Sequence, residues 1–360
     1  MSKSEKKELD IIIQRKKDGI YIPLKRNVQA KNVSTFLEYV NLVHNSLPEL
    51  NFDEIDIKTK FLGFEFDAPL IIDAMTGGTP EAEKINGRLG KLAEKCNIPM
   101  GLGSQRAGLR SDILKGTYSI ARKNAPNAFL IANIGGAQLS NGMKFEDVAR
   151  IIEMIDANAL AIHLNPLQEL IQPEGEPKYK GILQRIREIS DKISIPVIIK
   201  ETGAGISSDV AMRLESTKIS ALNVSGAGGT SWAGVEKIRA EMQRNENKES
   251  LGDLFWDWGI PTAQSILEVR SVSKIPIIAS GGLRNGLEIV KCMVIGANTS
   301  AMAFPFLKAA IRSERYLFVF FNKIIGEIKS TMFLIGAPRI SDLSKSRYIL
   351  TNELAERVKK

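Results

Sequence analysis

The chain has 360 residues, 44% hydrophobic and 25% charged, with two cysteines, two histidines and a net charge of +8, which is material for one large α/β barrel or two ordinary domains. No apolar run reaches the ~18 residues of a membrane span, and the opening residues lack the apolar core of a secretory signal. Cys96 and Cys292 lack the spacing of a disulfide framework or a thiolate metal site, so a soluble, cytoplasmic globular protein with no membrane partner is expected.

The basic excess sits at the start. Residues 1–31 hold nine Lys/Arg against four Asp/Glu, five of the eight net charges. Downstream the signs are mixed and no basic stripe carries interleaved aromatics, so a local anion site is expected rather than a nucleic-acid partner; a solvated arm reads equally well from charge alone. From residue 68 onward, short apolar runs recur at 68–75, 98–103, 128–134, 158–164, 195–200, 219–224, 275–279 and 297–303. Continuous Ile/Val/Leu/Ala runs indicate strands covered on both faces, and amphipathic stretches at 80–95, 145–156, 181–192 and 287–295 indicate parallel crossovers. Eight such units match a TIM (β/α)8 barrel, of class α/β, better than an open doubly wound sheet with a second domain.

That places an N-terminal extension with a basic arm at 1–66, a barrel at 67–335 and a C-terminal tail at 336–360. Residues 232–261 form a longer insertion after the sixth strand, with a polar patch at 244–250, and read as a lid. Helices at 306–312 and 316–332 close the barrel. Beyond the strand–helix alternation no internal repeat is visible.

The strand ends carry the chemistry. They read Ala74-Met75-Thr76-Gly77-Gly78, Gly103-Ser104-Gln105-Arg106, Asn133-Ile134-Gly135-Gly136, Lys200-Glu201-Thr202-Gly203, Ser225-Gly226-Ala227-Gly228-Gly229-Thr230 and Ser280-Gly281-Gly282-Leu283-Arg284. One such glycine simply begins a loop, but repeated glycines let backbone N–H groups approach a ligand. Loops after strands seven and eight form the customary phosphate site of such barrels, so residues 281–286, opening a helix at Leu287, offer backbone donors, a helix N-terminus and a guanidinium. Lys200 faces the mouth as a cation, with an ion-paired lysine as the alternative. The fourth strand ends in His163-Leu164-Asn165-Pro166-Leu167-Gln168-Glu169, where an imidazole, two carboxamides and a carboxylate follow an apolar run, and Gln172-Pro173-Glu174-Gly175-Glu176 comes next. The only other histidine is His44.

These motifs, together with Arg15-Lys16 and Thr230-Ser231-Trp232, occur in an order that resembles type 2 isopentenyl diphosphate isomerase from about residue 15 to residue 335. The resemblance implies a barrel holding FMN, used reduced, with Mg²⁺ and with NADPH as the reductant of the flavin. It implies interconversion of isopentenyl diphosphate and dimethylallyl diphosphate with no net redox change, in a homotetramer or homo-octamer. Carried over by position, Ala74, Met75, Thr76, Ser104, Asn133, Lys200, Ser225, Thr230, Gly282, Leu283, Arg284, Ala303 and Phe304 bind FMN. Arg15, Lys16, Ser104, Gln105, Arg106 and Gln168 hold the substrate. Gln168 acts beside the alkene, Glu169 contacts Mg²⁺, and His163 and Asn165 lie near the diphosphate and the metal. The chain departs from the family's Arg-Lys-x-x-His pattern, since Gly19 stands where histidine is usual; either Lys17 or Tyr21 compensates or the diphosphate is held less tightly.

Elementary chemistry agrees with a secondary role for His163. The substrate is an unactivated alkene, so an imidazole of ordinary pKa, ~6.5, is poorly matched to protonating carbon or removing an allylic proton. Trp232 serves either as a stabilising ring or as lid packing, and Glu236 is a weaker acid/base candidate, with a solvated helix carboxylate the favoured reading. The alternatives are an FMN-dependent oxidoreductase of the same barrel class, which should carry a His or Cys base on a late loop, and a non-catalytic phosphate-binding barrel.

Overall fold

The computed structural model describes residues 3–358. Helix α1 (Lys3–Lys25) opens the chain, followed by β1 (Val40–Leu42) and an antiparallel hairpin of β2 (Thr59–Phe61) and β3 (Phe64–Phe66). The expected barrel then closes from eight parallel strands: β4 (Leu70–Ile72), β5 (Met100–Gly101), β6 (Leu130–Gly135), β7 (Ala159–His163), β8 (Val197–Lys200), β9 (Ala221–Asn223), β10 (Ile277–Ala279) and β11 (Thr299–Met302). Closure is made where Ser300 pairs with Leu70 and Met302 with Ile72.

Around the barrel run α2 (Pro80–Lys95), α3 (Asp112–Asn124), α4 (Gly136–Ser140), α5 (Phe145–Glu153), α6 (Pro166–Ile171), α7 (Ile182–Lys192) and α8 (Ser208–Glu215). They are followed by α9 (Trp232–Met242), α10 (Glu246–Leu254), α11 (Thr262–Val272), α12 (Gly286–Val294), α13 (Phe304–Arg312) and α14 (Glu314–Ile335). The chain ends with β12 (Tyr348–Leu350), antiparallel to β1, and α15 (Asn352–Val358). The 232–261 insertion, expected as a lid, folds as two packed helices: α9 buries Ala233, Gly234 and Val235, and Trp256 lies against Gly234. No described helix is long and apolar enough to cross a membrane.

Strand period two explains why the mouth is polar. Side chains of one strand alternate between the helix layer and the barrel interior. The interior holds Ile71, Ile131, Ala161, Ile198, Ala221 and Ile278, while Leu160 and Ile162, flanking Ala161, pack outward with the helices. Two residues further along, the inward positions become Asp73, Asn133, His163, Lys200, Asn223 and Ser280, so a single step in register turns an apolar plug into a ring of donors and acceptors. Below the plug the hairpin seals the opposite end, with Phe61 and Phe66 buried in the interior cluster and Phe66 edge-on to Phe129 at 5.5 Å.

That lower end also shows a duplication that local sequence hides. The Arg122 guanidinium donates to the carbonyls of Ile155, Ala125, Ala128 and Asp156 and to Asn158 Oδ1 at 2.7–3.0 Å. Arg270 does the same between Gly296 O at 3.0 Å and Asn298 Oδ1 at 2.9 Å. Each asparagine then accepts the first N–H of the preceding strand, from Leu130 and from Ile277, both at 2.9 Å. Strands three and four and strands seven and eight are thus stapled alike.

Candidate active site at the barrel mouth

A cavity of about 200 Å³ occupies the C-terminal end of the barrel. Six cationic side chains line it (Arg15, Lys16, Arg106, Lys200, Arg239 and Arg284) against three carboxylates, Asp73, Glu169 and Glu236. The imbalance marks a site for anions.

The cations form two groups. Arg15 and Lys16 come from α1, and Arg106 from the loop after the second strand; Lys16 Nζ donates to Ser104 O at 2.8 Å. Burial, Arg15 and Arg106 together hold the Lys16 ammonium well below the ordinary lysine range. Burial and Arg15 likewise lower Arg106, with Glu169 and Glu176 opposing. A cluster that suppresses its own charge in this way is relieved by a polyanion. The expected mobile arm is therefore, over these residues, a helix docked on the barrel.

Arg284 stands apart. Its Nη2 donates to Gln29 Oε1 at 2.6 Å, Gln29 Nε2 donates to Thr230 Oγ1 at 3.3 Å, and burial lowers the guanidinium's pKa against the charge of Glu288. Gly281, Gly282 and Leu283 line the cavity beside it. Gly282 has φ +75°, and a Cβ there would lie 2.3 Å from Thr35 Cγ2 and 2.9 Å from Gly228 O, so only glycine fits this turn. The start of α12 is not the free anion site expected from sequence. Asn285 Oδ1 caps Glu288 N at 2.9 Å, Glu288 takes Arg284 N at 2.6 Å, and Glu327 takes Gly286 N at 2.8 Å. The guanidinium and residues 281–283 are what remains for a phosphate.

Between these poles lie the polar ends of the strands. His163 Nδ1 is 2.8 Å from Asn133 Oδ1, and since an amide oxygen only accepts, Nδ1 carries the proton and Nε2 is left as an acceptor. Burial, then Lys200, Lys16, Arg15 and Arg106, push this imidazole down to about 3, so it is neutral at physiological pH. Lys200 donates to Glu201 O at 2.9 Å and lies 3.9 Å from Asp73, which accepts from Asn223 Nδ2 at 3.3 Å. Glu201 gathers the N–H groups of Thr202 and Gly203 at 2.5 Å and of Ala204, forming the wall at Thr202 and Gly203; burial raises its pKa to about 7 although those donors pull it down.

On the far wall Asn165 accepts the Tyr179 hydroxyl at 2.9 Å and donates to Gln168 Oε1 at 3.2 Å and Glu169 Oε1 at 3.4 Å. Gln168 Nε2 donates to Glu236 Oε1 at 2.8 Å, fixing which end of its amide faces which neighbour. Glu236, expected in solvent, is 1% exposed, because α9 turns this face into the cavity; burial raises its pKa against Arg239 and Gln168. Trp232 lines the cavity and approaches Gly19, where an added Cβ would lie 3.8 Å from the indole, so it serves as wall and packing together.

The structure brings together most of the residues expected from sequence. Ala74, Met75, Ser104, Arg106, Asn133, His163, Asn165, Gln168, Glu169, Lys200, Ser225, Thr230, Gly282, Leu283, Arg284, Ala303, Phe304, Arg15 and Lys16 all line the cavity. Thr76 and Gln105 do not. Thr76 Oγ1 donates to Asn86 Oδ1 at 2.7 Å, and Gln105 is fully buried, donating to Ile151 O and accepting from Asn133 N, both at 3.0 Å. Thr76 comes just before Gly77-Gly78 and Gln105 just after Gly103-Ser104, and their side chains turn away from the mouth, toward α2 and α5 respectively. Lys17 and Tyr21 are not among the lining residues either; Gly19 itself is, and the position stays open. Sequence reasoning passed over Gln138, Asp73 and Ser280 in the lining, and Arg239. Period two could have found Asp73 and Ser280; Arg239 announces itself only through its partners.

These residues fit FMN. A half-buried guanidinium beside a turn that admits no Cβ suits its phosphate, and Lys200 and Asn133 at the barrel centre present a cation and an amide to the edge of a polar ring.

Comparison with known proteins agrees. The family model for FMN-dependent dehydrogenases matches residues 137–350. Among solved structures, a lactate oxidase of Pediococcus acidilactici is 14% identical with TM-score 0.67, covering 96% of this chain and 94% of that one. A mutant flavocytochrome b2 is 17% identical with TM-score 0.68, covering 97% and 86%. At such identities these two speak for the fold alone. The isopentenyl-diphosphate delta-isomerase of Thermococcus onnurineus is 45% identical over 98% of this chain and 94% of its own. That of Methanothermobacter thermautotrophicus is 44% identical over 96% and 95%. Likeness at this level over nearly the whole length establishes that the chain belongs to the isopentenyl-diphosphate delta-isomerase family, in its FMN-dependent type 2 form.

Proposed function

We propose that this protein interconverts isopentenyl diphosphate and dimethylallyl diphosphate by a 1,3-allylic proton shift at the barrel mouth, with FMN, Mg²⁺ and NADPH as the reductant of the flavin. The carrying observation is the pair of separate cationic poles, Arg284 on one side and Arg15, Lys16 and Arg106 on the other, with Gln168 and Glu236 between. One pole suits the phosphate of a cofactor and the other the diphosphate of a substrate.

Each residue then has a task. Arg15, Lys16 and Arg106 grip the diphosphate, and Ser104 supplies the carbonyl that aims Lys16. Glu169, held by Asn165 and by Glu176 N at 3.0 Å, presents a carboxylate for Mg²⁺, a hard cation that takes one or two carboxylates plus phosphate oxygens. His163 stays neutral and offers Nε2 as an acceptor, which removes it as a proton donor to carbon. Gln168 is oriented at both ends of its amide and lies where it can position the alkene. Reduced FMN, when bound, supplies a ring nitrogen able to give and take a proton, chemistry that no side chain of this mouth matches. Trp232 and Val235 exclude water from that space. One proton is added at the terminal alkene carbon and one is lost from the allylic carbon, so atoms and electrons balance.

An anaerobic assay with FMN, NADPH, Mg²⁺ and isopentenyl diphosphate tests this. Dimethylallyl diphosphate should accumulate well beyond the NADPH consumed. Stoichiometric NADPH loss with an oxidised or reduced product would instead mark an oxidoreductase, and colourless protein that never takes up FMN would mark a binding barrel.

A further inference from the structure

Resting on the isomerase reading, we propose that Arg239 is a positioning residue that couples the docking of α1 over the mouth to the orientation of Gln168. Its guanidinium is 2% exposed and is divided among three carboxylates from three segments. Nε donates to Asp18 Oδ2 on α1 at 3.1 Å, Nη2 to Glu174 Oε1 behind α6 at 2.6 Å, and Nη1 to Glu236 Oε2 on α9 at 2.6 Å. Glu236 spends its other oxygen on Gln168 Nε2. A continuous chain of hydrogen bonds therefore runs from α1 to the amide proposed to face the alkene.

Helix geometry makes α1 the sensing element. Residues two apart on an α-helix point ~200° apart, whereas residues three or four apart share a face. Lys16 and Asp18 accordingly grip opposite walls: Lys16 bonds Ser104 O after the second strand, and Asp18 bonds Arg239 on α9. Arg15 and Gly19, four apart, both line the cavity. The helix is thus a strap across the mouth, tied at one end by the residue that meets the anion and at the other by Arg239. Asp18 has no second option, since Oδ1 already accepts from Gln14 Nε2 at 2.8 Å. Burial lowers the pKa of Arg239, but Glu236 and Glu174 outweigh it and raise the net value, so the guanidinium stays charged. Without that charge Asp18, Glu174 and Glu236 would repel one another, and Glu236 would lose the contact that presents its Oε1 to Gln168. A ligand that tightens α1 through Arg15 and Lys16 therefore also fixes Gln168, and a loosened α1 frees it.

The test is a double-mutant cycle in the full-length, FMN-loaded protein, with binding of inorganic diphosphate to the flavin-free protein as an independent readout. Asp18→Ala should lower kcat about ten- to a hundredfold, the range expected when a catalytic amide shifts by up to ~1 Å, and should weaken inorganic diphosphate binding several-fold. In a Gln168→Ala background the same Asp18→Ala change should leave kcat unaltered. Arg239→Lys, which keeps the charge but reaches fewer carboxylates, should fall between wild type and Asp18→Ala in both readouts. An equal fractional loss of kcat from Asp18→Ala in both backgrounds, or a lowered Tm with kcat and diphosphate affinity intact, overturns the coupling. Should wild type itself leave isopentenyl diphosphate unconverted, the isomerase reading fails by itself, while unchanged diphosphate affinity in Asp18→Ala would still refute the strap.

Discussion

Two ends of one barrel use guanidiniums in opposite ways. At the lower end Arg122 and Arg270 donate to main-chain carbonyls and an asparagine amide, closing the gaps where strands begin. At the mouth Arg239 donates to three carboxylates from separate segments, and Arg15, Lys16 and Arg106 lean on one another with too few counter-charges. Neutral acceptors satisfy a guanidinium and leave nothing to answer a ligand. Unequal charge stores unfavourable energy in the free protein that a bound anion relieves. The lower end is therefore built for stability and the mouth for binding and chemistry, a division common to barrels of this type.

Substitutions can break or sharpen this contrast. The largest expected effect is at Gln168: Gln168→Ala should reduce kcat by on the order of 10²-fold while flavin affinity changes little, and equal losses in both would make the residue structural. Next, Arg15→Ala and Lys16→Ala should each raise KM for the diphosphate about tenfold or more, as losing a charged hydrogen bond does. The increases should shrink as salt rises, and KM ratios flat from low to high ionic strength would deny these residues a charge role. Arg122→Ala and Arg270→Ala should each cost about 2–3 kcal/mol and lower Tm by several degrees with KM untouched, whereas a changed KM with unchanged Tm would erase the contrast between the two ends. The smallest signal is spectroscopic. With only two histidines, proton NMR can follow His163 against His44, and the His163 ring resonance should stay fixed from pH 8 to pH 5 because its pKa lies near 3. The sign follows: an imidazole depressed from 6.5 withdraws stability as pH falls from about 6.5 toward 3.

Much of this was legible in the chain. Continuous apolar runs identify the strands because both faces of each are covered, and in six of the eight strands the residue two beyond the last inward apolar position is polar, as at Ile131 and Asn133 or Ile198 and Lys200. The strand-end motifs hold many of the residues that line the cavity, among them Asn133, His163, Lys200 and Arg284. Thr76 and Gln105 fall outside the lining because a motif gives position along the chain and not the direction in which a side chain points. Glu236 was misread because a carboxylate on a helix is usually wet, and the Arg239 that keeps it dry has partners 221 and 65 residues away at Asp18 and Glu174. The Arg122 and Arg270 staples are invisible because most of their acceptors are backbone carbonyls, which carry no sequence signature, and their asparagine partners lie 36 and 28 residues away.

The most direct measurement is deuterium uptake into isopentenyl diphosphate incubated with the reduced FMN protein in deuterium oxide, read by mass spectrometry. The account predicts that wild type labels both diphosphates at the carbons that gain and lose a proton, with no net oxidation of the flavin. Full reduction of the flavin with both diphosphates left unlabelled would contradict it.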